Sequence, residues 1–318
     1  MYNVFIDGQA GTTGLQIADR LQDMDGINLV TIPHEKRKDI ETKGQILNDV
    51  DLVILCLPDD AAKASVAMIR NEKVRVLDAS TAHRTDEDWV YGLPELNPGQ
   101  RQKIKEASRV ANPGCYPTGF LLGVVPLIQA GILPPDYPVV IDAVSGYSGG
   151  GRQLIEKYEA RQSTHPDSRW TYRKYCLQLA HKHVPEMRCY SGLDHNPVFV
   201  PAVADFKQGM LVSVPLTTRL LKVGTTPTQV HDCLTGYFEN EPFIEVCPLD
   251  DLDHLDDGFL SPLLCNNTNR VDIMVFANDE QVLVTSRLDN LGKGASGAAI
   301  QNLNLMLGEP ENKGLNRQ

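Results

Sequence analysis

The stretch from Ala111 to Phe120, ANPGCYPTGF, sets a thiol between two prolines, directly after a glycine and at the head of an apolar run. Pro117 suits the first turn of a helix, and Gly114 leaves the approach to Cys115 open. The positive end of that helix dipole would fall on the sulfur and favour thiolate over thiol. The other six cysteines, at positions 56, 176, 189, 233, 247 and 265, stand in apolar or irregular runs and read as small hydrophobes. Cys115 is therefore the candidate nucleophile. A nucleophilic thiol beside a nicotinamide site means acyl transfer coupled to hydride transfer.

Such chemistry needs a base and groups that hold anions. AHKHVPEM (180–187) supplies His181 and His183, on one face if the segment is extended, with Glu186 beyond. His-x-His with a carboxylate is also a metal pattern, but no third convincing ligand is evident. The pair is expected in general acid/base work, and no metal site is expected. VSGYSGGGR (144–152) places Ser145, Tyr147, Ser148 and Arg152 among glycines, as an anion-binding loop or a flexible connector. DASTAHR (78–84) ends in Arg84, either a second cation for phosphate or a surface arginine.

The elements around these segments follow from hydrophobic period. YNVFID (2–7) reads as a buried strand, and GQAGTTG (8–14) then opens a helix with Ile17, Leu21 and Met24 on one face. Gly8, Gly11 and Gly14 at that turn allow close approach of backbone to a pyrophosphate at a helix N-terminus. The spacing is GxxGxxG rather than GxGxxG, so its place in a βαβ unit carries the nucleotide reading. Glu35 stands at a distance suited to ribose hydroxyls. Its neighbours His34, Lys36, Arg37 and Lys38 suit a 2′-phosphate, which favours NADP over NAD, and they equally fit a solvated loop.

Strands over 27–32, 51–57 and 74–80 with a helix over 59–70 continue the alternation and specify a doubly wound parallel sheet. Further on, a helix from Pro117 to about Ala130 is followed by strands over 138–146 and 209–216. A helix over 226–240 has Thr226 as N-cap, Pro227 as its first residue and Gln229 closing a capping box. A hairpin turns at Asn278-Asp279, and a last helix over 292–308 carries Ile300, Leu303 and Leu307 and stops at Gly308. The expected class is α/β: a doubly wound dinucleotide-binding domain plus an α+β domain with a largely antiparallel sheet.

Composition excludes several alternatives. The 318 residues are 42% hydrophobic and 22% charged, with a formal net charge of −11, so no basic field for nucleic acid is present. No run approaches the roughly 20 apolar residues of a membrane span. The N-terminus carries no signal-like segment, and seven scattered cysteines without a CxxC pair fit a reducing cytoplasm.

Taken together, GQAGTTG, DASTAHR, YGLPEL (91–96), NPGCYPTG, SGYSGGGR, HKHVPE and NLGKGASGAAIQNLN (290–304) closely resemble the N-acetyl-gamma-glutamyl-phosphate reductases of shorter form, within the aspartate-semialdehyde dehydrogenase superfamily. The resemblance covers essentially the full length. It implies an NADPH-dependent enzyme of arginine biosynthesis that reduces an N-acetyl-glutamyl phosphate to the semialdehyde and phosphate, acting on a small molecule as a homo-oligomer (dimer or tetramer). It puts the nucleophile on Cys115 and the base on His183, with His181 close by. Ser145, Ser148, Arg84, Arg152 and Glu186 fall to the substrate. Gly8, Gly11, Thr12, Thr13, Gly14, Arg37, Ser80, Asn290, Gly294 and Gln301 fall to the cofactor. Residues 1–114 and 290–318 would form the cofactor domain, and 115–289 the catalytic and subunit-contact domain. An aspartate-semialdehyde dehydrogenase-like enzyme and a catalytically silent dinucleotide-binding redox sensor are the competing readings.

Overall fold

The computed structural model describes residues 1–36, 39–164 and 168–317. Arg37 and Lys38, the charges expected to select NADP, lie outside the described residues. The chain divides into two compact units, Met1–Pro113 with Ala295–Leu315 and Gly114–Gly294 with Asn316–Gln318.

In the first unit, β1 (Tyr2–Asp7), α1 (Thr12–Gln22), β2 (Ile27–Val30), α2 (Ile40–Asp49), β3 (Leu52–Leu55), α3 (Asp59–Met68), β4 (Arg75–Asp78), β5 (Val90–Tyr91), α4 (Gln100–Glu106) and β6 (Arg109–Ala111) follow in turn. Their six strands pair in the order β2-β1-β3-β4-β6-β5, every pairing parallel. Successive side chains point to opposite faces, so each strand feeds two cores. Val4, Ile6, Leu52 and Ile54 join Ile17 and Leu21 of α1 on one side. Phe5, Val53 and Leu55 join Leu47 of α2 and Ala62 of α3 on the other. A sheet covered on both faces has no solvent side, which is why Leu52–Leu55 is apolar throughout.

The second unit begins with α5 (Cys115–Gln129) and continues with β7 (Val140–Gly146), α6 (Gly151–Thr164), β8 (Tyr172–Lys174), α7 (Val184–Ser191), β9 (Val198–Ala204), β10 (Met210–Thr217), α8 (Pro227–Phe238), β11 (Ile244–Val246), β12 (Val271–Ala277) and β13 (Gln281–Leu288). Its strands pair in the order β11-β12-β13-β10-β7-β9-β8. Four pairings are antiparallel, while β11 with β12 and β7 with β9 are parallel. The capping box at Thr226 and Gln229 forms as its sequence requires. The hairpin keeps Asn278 at its corner, where its side-chain oxygen accepts from Glu280 and Gln281.

The closing helix α9 (Gly297–Leu307) returns to the first unit, with Ile300, Leu303 and Leu307 in the core beside α1. A π-turn over Gly292–Ser296 precedes it, where the sequence pattern reads as continuous α-helix. Every residue of α9 is buried, polar ones included. Asn302 donates to the Gly92 carbonyl and Asn112 Oδ1, and Asn304 to the carbonyls of Glu311 and Lys313, so the NH2 ends of these amides are paired inside the core, while their Oδ1 atoms accept no hydrogen bond among the described residues.

Helix α5 lies close on the second sheet because it has no side chain at Gly119. A Cβ there would come 2.8 Å from Val212 Cγ2 and 3.2 Å from Leu288 Cδ2. Gly236, exposed in the last turn of α8, has no such neighbour. Gly119→Ala should therefore cost about 1–3 kcal/mol through overpacking, whereas Gly236→Ala should gain about 0.5–1 kcal/mol through helix propensity. Thermal or urea melts of the two variants check this; shifts of the same sign would contradict it.

Candidate active site

Cys115 is the first residue of α5, after an N-cap Gly114 whose backbone is extended (φ −74°, ψ 152°). The helix starts without a side-chain cap. Its first intrahelical bond runs from Thr118 N–H to Gly114 O at 2.9 Å, and the Thr118 hydroxyl donates to the same oxygen. The thiol is partly buried. Gly294 is pressed against it, since a Cβ at that position would stand 2.8 Å from Cys115 Cβ. Two other thiols contrast with this: burial pushes Cys56 up to about 12 and Cys265 to about 11. These are held as inert hydrophobes.

The segment 180–187 is not extended. His181 and His183 lie in a turn, and His183 becomes the N-cap of α7, with Pro185 and Glu186 in the first turn. Proline early and an acid close behind favour a helix start there. The turn brings the two rings to 4.7 Å between centroids, a contact that strand alternation would have produced differently. His183 N–H donates to His181 Nδ1 at 3.1 Å. His181 is boxed in by Tyr116, Tyr175 and Phe199, with ring centroids 5.1–6.1 Å away. Burial, helped by the charge on Lys182, lowers it to about 4. His183 is also buried, with its ring 6.0 Å from that of Tyr116. Tyr116 donates to Ala202 O at 3.0 Å, and burial raises its phenol well above the ordinary value, so it stays protonated.

Glu186 supplies the join. Its carboxylate is 1% exposed and accepts from the Gly114 N–H at 2.7 Å. The start of α5 and the start of α7 therefore meet on one buried carboxylate. Sequence reading assigned Glu186 to substrate; in the structure its carboxylate clamps the turn that leads into Cys115.

The glycine loop 144–152 is neither an open anion cradle nor a slack connector. The N–H groups of Gly146, Tyr147 and Ser148 donate to the carbonyls of Gly209, Phe206 and Lys207. Ser145 and Ser148 are buried, Ser145 donating to Gly146 O and Ser148 accepting from Asn290. The Asn290 oxygen accepts from Gly209 N–H, so both ends of that amide hold the loop in place. Arg152 is exposed and pairs with Glu156 one turn on in α6.

In the first unit, each glycine of the 8–14 loop has its own reason. Gly8 has φ +90°, and a Cβ there would strike the Cys56 carbonyl. A Cβ on Gly14 would lie 2.6 Å from Gly8 O, where α1 packs on the turn. Gly11 meets nothing in the chain closer than 3.5 Å, so the room at its Cα faces outward, as a phosphate approaching the uncapped α1 N-terminus at Thr12 and Thr13 requires. This fits a dinucleotide. Asp7, at the end of β1, pairs with Lys43 at 2.6 Å and accepts from Ser65; sequence reading missed that pair.

DASTAHR folds on itself. Asp78 accepts from the Ser80 N–H and hydroxyl and pairs with His83, which stacks on Trp89 at 4.2 Å. Arg84 is buried and donates to the Asn112 and Ala79 carbonyls, bracing the strand that leads to Pro113. Gln301 donates to Glu95 and Glu311 and joins α9 to its neighbours.

Residues 14–107 match the NAD binding domain, and 115–290 the dimerisation domain, of semialdehyde dehydrogenases. An N-acetyl-gamma-glutamyl-phosphate reductase from a Nostoc species is 53% identical over 98% of this chain and 98% of its own. One from Burkholderia cenocepacia is 50% identical over 96% and 97%. The chain belongs to the N-acetyl-gamma-glutamyl-phosphate reductase family. The crystal structure of aspartate semialdehyde dehydrogenase II from Vibrio cholerae, complexed with ASA, superposes with a TM-score of 0.73, covering 96% of this chain and 98% of its own. At 16% identity it shares the fold alone. Among the described residues no helix is long and apolar enough to cross a membrane.

The environment of His181 has a measurable consequence. Folded, it stays neutral down to about 4, while in the unfolded chain it takes up a proton near 6.5. Its contribution to stability is present above pH 6.5 and lost as the pH falls toward 4, because the unfolded state binds the extra proton. His181→Gln should flatten the acid limb of stability by about 1–2 kcal/mol, allowing for solvent screening. Urea melts between pH 7 and 4 test this, and an unchanged slope would contradict it.

Proposed function

We propose that this chain reduces N-acetyl-L-glutamyl 5-phosphate to N-acetyl-L-glutamate 5-semialdehyde with NADPH, reversibly, through a thioester on Cys115. The observation that carries the reading is a thiol at an uncapped helix start, with its turn clamped by Glu186 beside the His181–His183 turn.

The sulfur attacks the acyl carbon as His183 takes the thiol proton. The C–O bond breaks, and phosphate leaves with its electron pair. Negative charge on the acyl oxygen is met by the α5 dipole and first-turn amides, apart from Pro117, which has no N–H, and Gly114, whose N–H is held by Glu186. A reduced nicotinamide, when bound, would supply the hydride for reduction of the thioester to a hemithioacetal. His183 returns its proton to the hemithioacetal oxygen. Collapse reverses that transfer, breaks the C–S bond and releases the aldehyde. His181 shapes the site as a neutral ring, since its low value removes it as a base near neutrality. Arg152 is assigned to the substrate carboxylate: its partner Glu156 is an exposed surface ion pair, worth little and easily exchanged. Arg84 serves as a brace instead of a phosphate ligand, because its guanidinium is buried on backbone carbonyls.

The dinucleotide is assigned to Gly8, Gly11, Thr12, Thr13 and Gly14. A second copy of the chain is assigned to the sheet face of the second unit on which Val140 and Val198 are exposed. A thiol nucleophile needs a reducing compartment, which supports action in the cytoplasm.

Cys115→Ser should lower phosphate-dependent oxidation of N-acetylglutamate semialdehyde by NADP at least about a thousandfold. His183→Asn should lower kcat by about 10²–10⁴-fold with a smaller change in KM. A panel including aspartate semialdehyde, followed at the nicotinamide absorbance, checks both effects and the substrate. Near-normal turnover of Cys115→Ser would end the covalent scheme.

A further inference from the structure

The loop between β11 and β12 collects three donor types that were not grouped in the sequence. Cys247 Sγ, an Asp251 carboxylate oxygen and a His254 ring nitrogen all lie within 4.8 Å of one another. A tetrahedral ion with Zn–S near 2.3 Å and Zn–N and Zn–O near 2.0–2.2 Å needs a trio of about this compactness. The burial is graded. Cys247 is 1% exposed, the Asp251 side chain 8% and the His254 side chain 34%, so the sulfur forms the floor and the imidazole the open edge.

The backbone that carries the trio is fixed. Cys247 N–H donates to Ile273 O and Asp250 N–H to Val275 O, both on β12. Asp250 Oδ1 accepts from Ala277 N–H, and Asp251 Oδ1 from Asp253 N–H, which turns the second Asp251 oxygen toward His254 Nδ1 at 2.6 Å. The loop is thus held on β12 by its backbone and by Asp250, and of the trio's side chains only Asp251 and its partner His254 add contacts within it.

Charge gives an independent pointer. Between Val223 and Asn269 the sequence has nine Asp and Glu and no Lys or Arg, against a net charge of −11 for the whole chain. Arg287 does approach the loop, donating to the His254 and Ser261 carbonyls. Asp272, 1% exposed, is shared between Arg287 and Arg270, which leaves one positive charge against the nine carboxylates of the segment. The local field therefore attracts a cation.

We propose that Cys247, Asp251 and His254 bind one zinc ion per chain, with water as the fourth ligand, in a structural site that closes the β11–β12 loop. A thiolate and an imidazole select a borderline-soft ion over calcium or magnesium. On binding, the Cys247 thiol gives its proton to solvent and the His254–Asp251 hydrogen bond opens, each group turning a lone pair to the metal. Thiolate, carboxylate and Zn²⁺ then sum to zero charge.

Cobalt(II) titration of the full-length, metal-free protein reads this directly. One saturable equivalent should give a thiolate-to-cobalt charge-transfer band with four-coordinate visible bands, displaced by zinc. Cys247→Ser should abolish the charge-transfer band, and His254→Ala should weaken cobalt at least about tenfold. Cys115→Ser should keep both signals, which separates this site from the reactive thiol. Should Cys247→Ser fail to fold, the half-exposed His254→Ala decides alone. No charge-transfer band at stoichiometric cobalt would overturn the proposal, as would a band unaffected by His254→Ala or lost in Cys115→Ser.

Discussion

The bond from Gly114 N–H to the Glu186 carboxylate is the constraint around which the second unit is organised. Two helix starts carry partial positive charge and repel when they face each other; a buried carboxylate between them offsets this. Glu186 gains from the dipole of its own helix and accepts the amide that precedes the nucleophile. Leaving that amide unpaired in the interior would cost about 1–3 kcal/mol. The same contact brings the His183 end of α7 to the Cys115 end of α5, so a stabilising interaction also sets the geometry on which the proposed chemistry rests.

The end of β6 in the first unit is fixed by different means. Asn112, three residues before Cys115, accepts from Asn302, donates to Ala295 O, and has its carbonyl braced by Arg84. Polar groups buried in α9 are therefore the partners that keep the strand end in register. This explains a last helix that is apolar on one stripe only, yet buried all round.

Much of the fold was legible because periodic signals are local. The continuous apolar run at Leu52–Leu55, the capping box at Thr226 and the corner at Asn278 each carry their own cause within a few residues. The helix start at Cys115 was legible for the same reason, since proline and glycine frame it. What could not be read depends on distant partners. The stretch His181–His183 looks extended until Pro185 and Glu186 turn it into a helix start. Arg84 and Gln301 look available for ligands until backbone carbonyls and buried carboxylates claim them. Residues 146–148 look like part of an anion loop until Phe206, Lys207 and Gly209 take up their amides. Cys247, Asp251 and His254 are spaced like no common metal motif, and only the loop brings them together.

The central claim is that Cys115 becomes acylated. Mixing the protein with the acyl phosphate in the absence of reduced dinucleotide, quenching in acid and mapping peptides by mass spectrometry tests it most directly. The account predicts one acyl group on the peptide containing Cys115, formed as fast as phosphate appears. Release of phosphate with Cys115 unmodified, or with the acyl group on another residue, would contradict it.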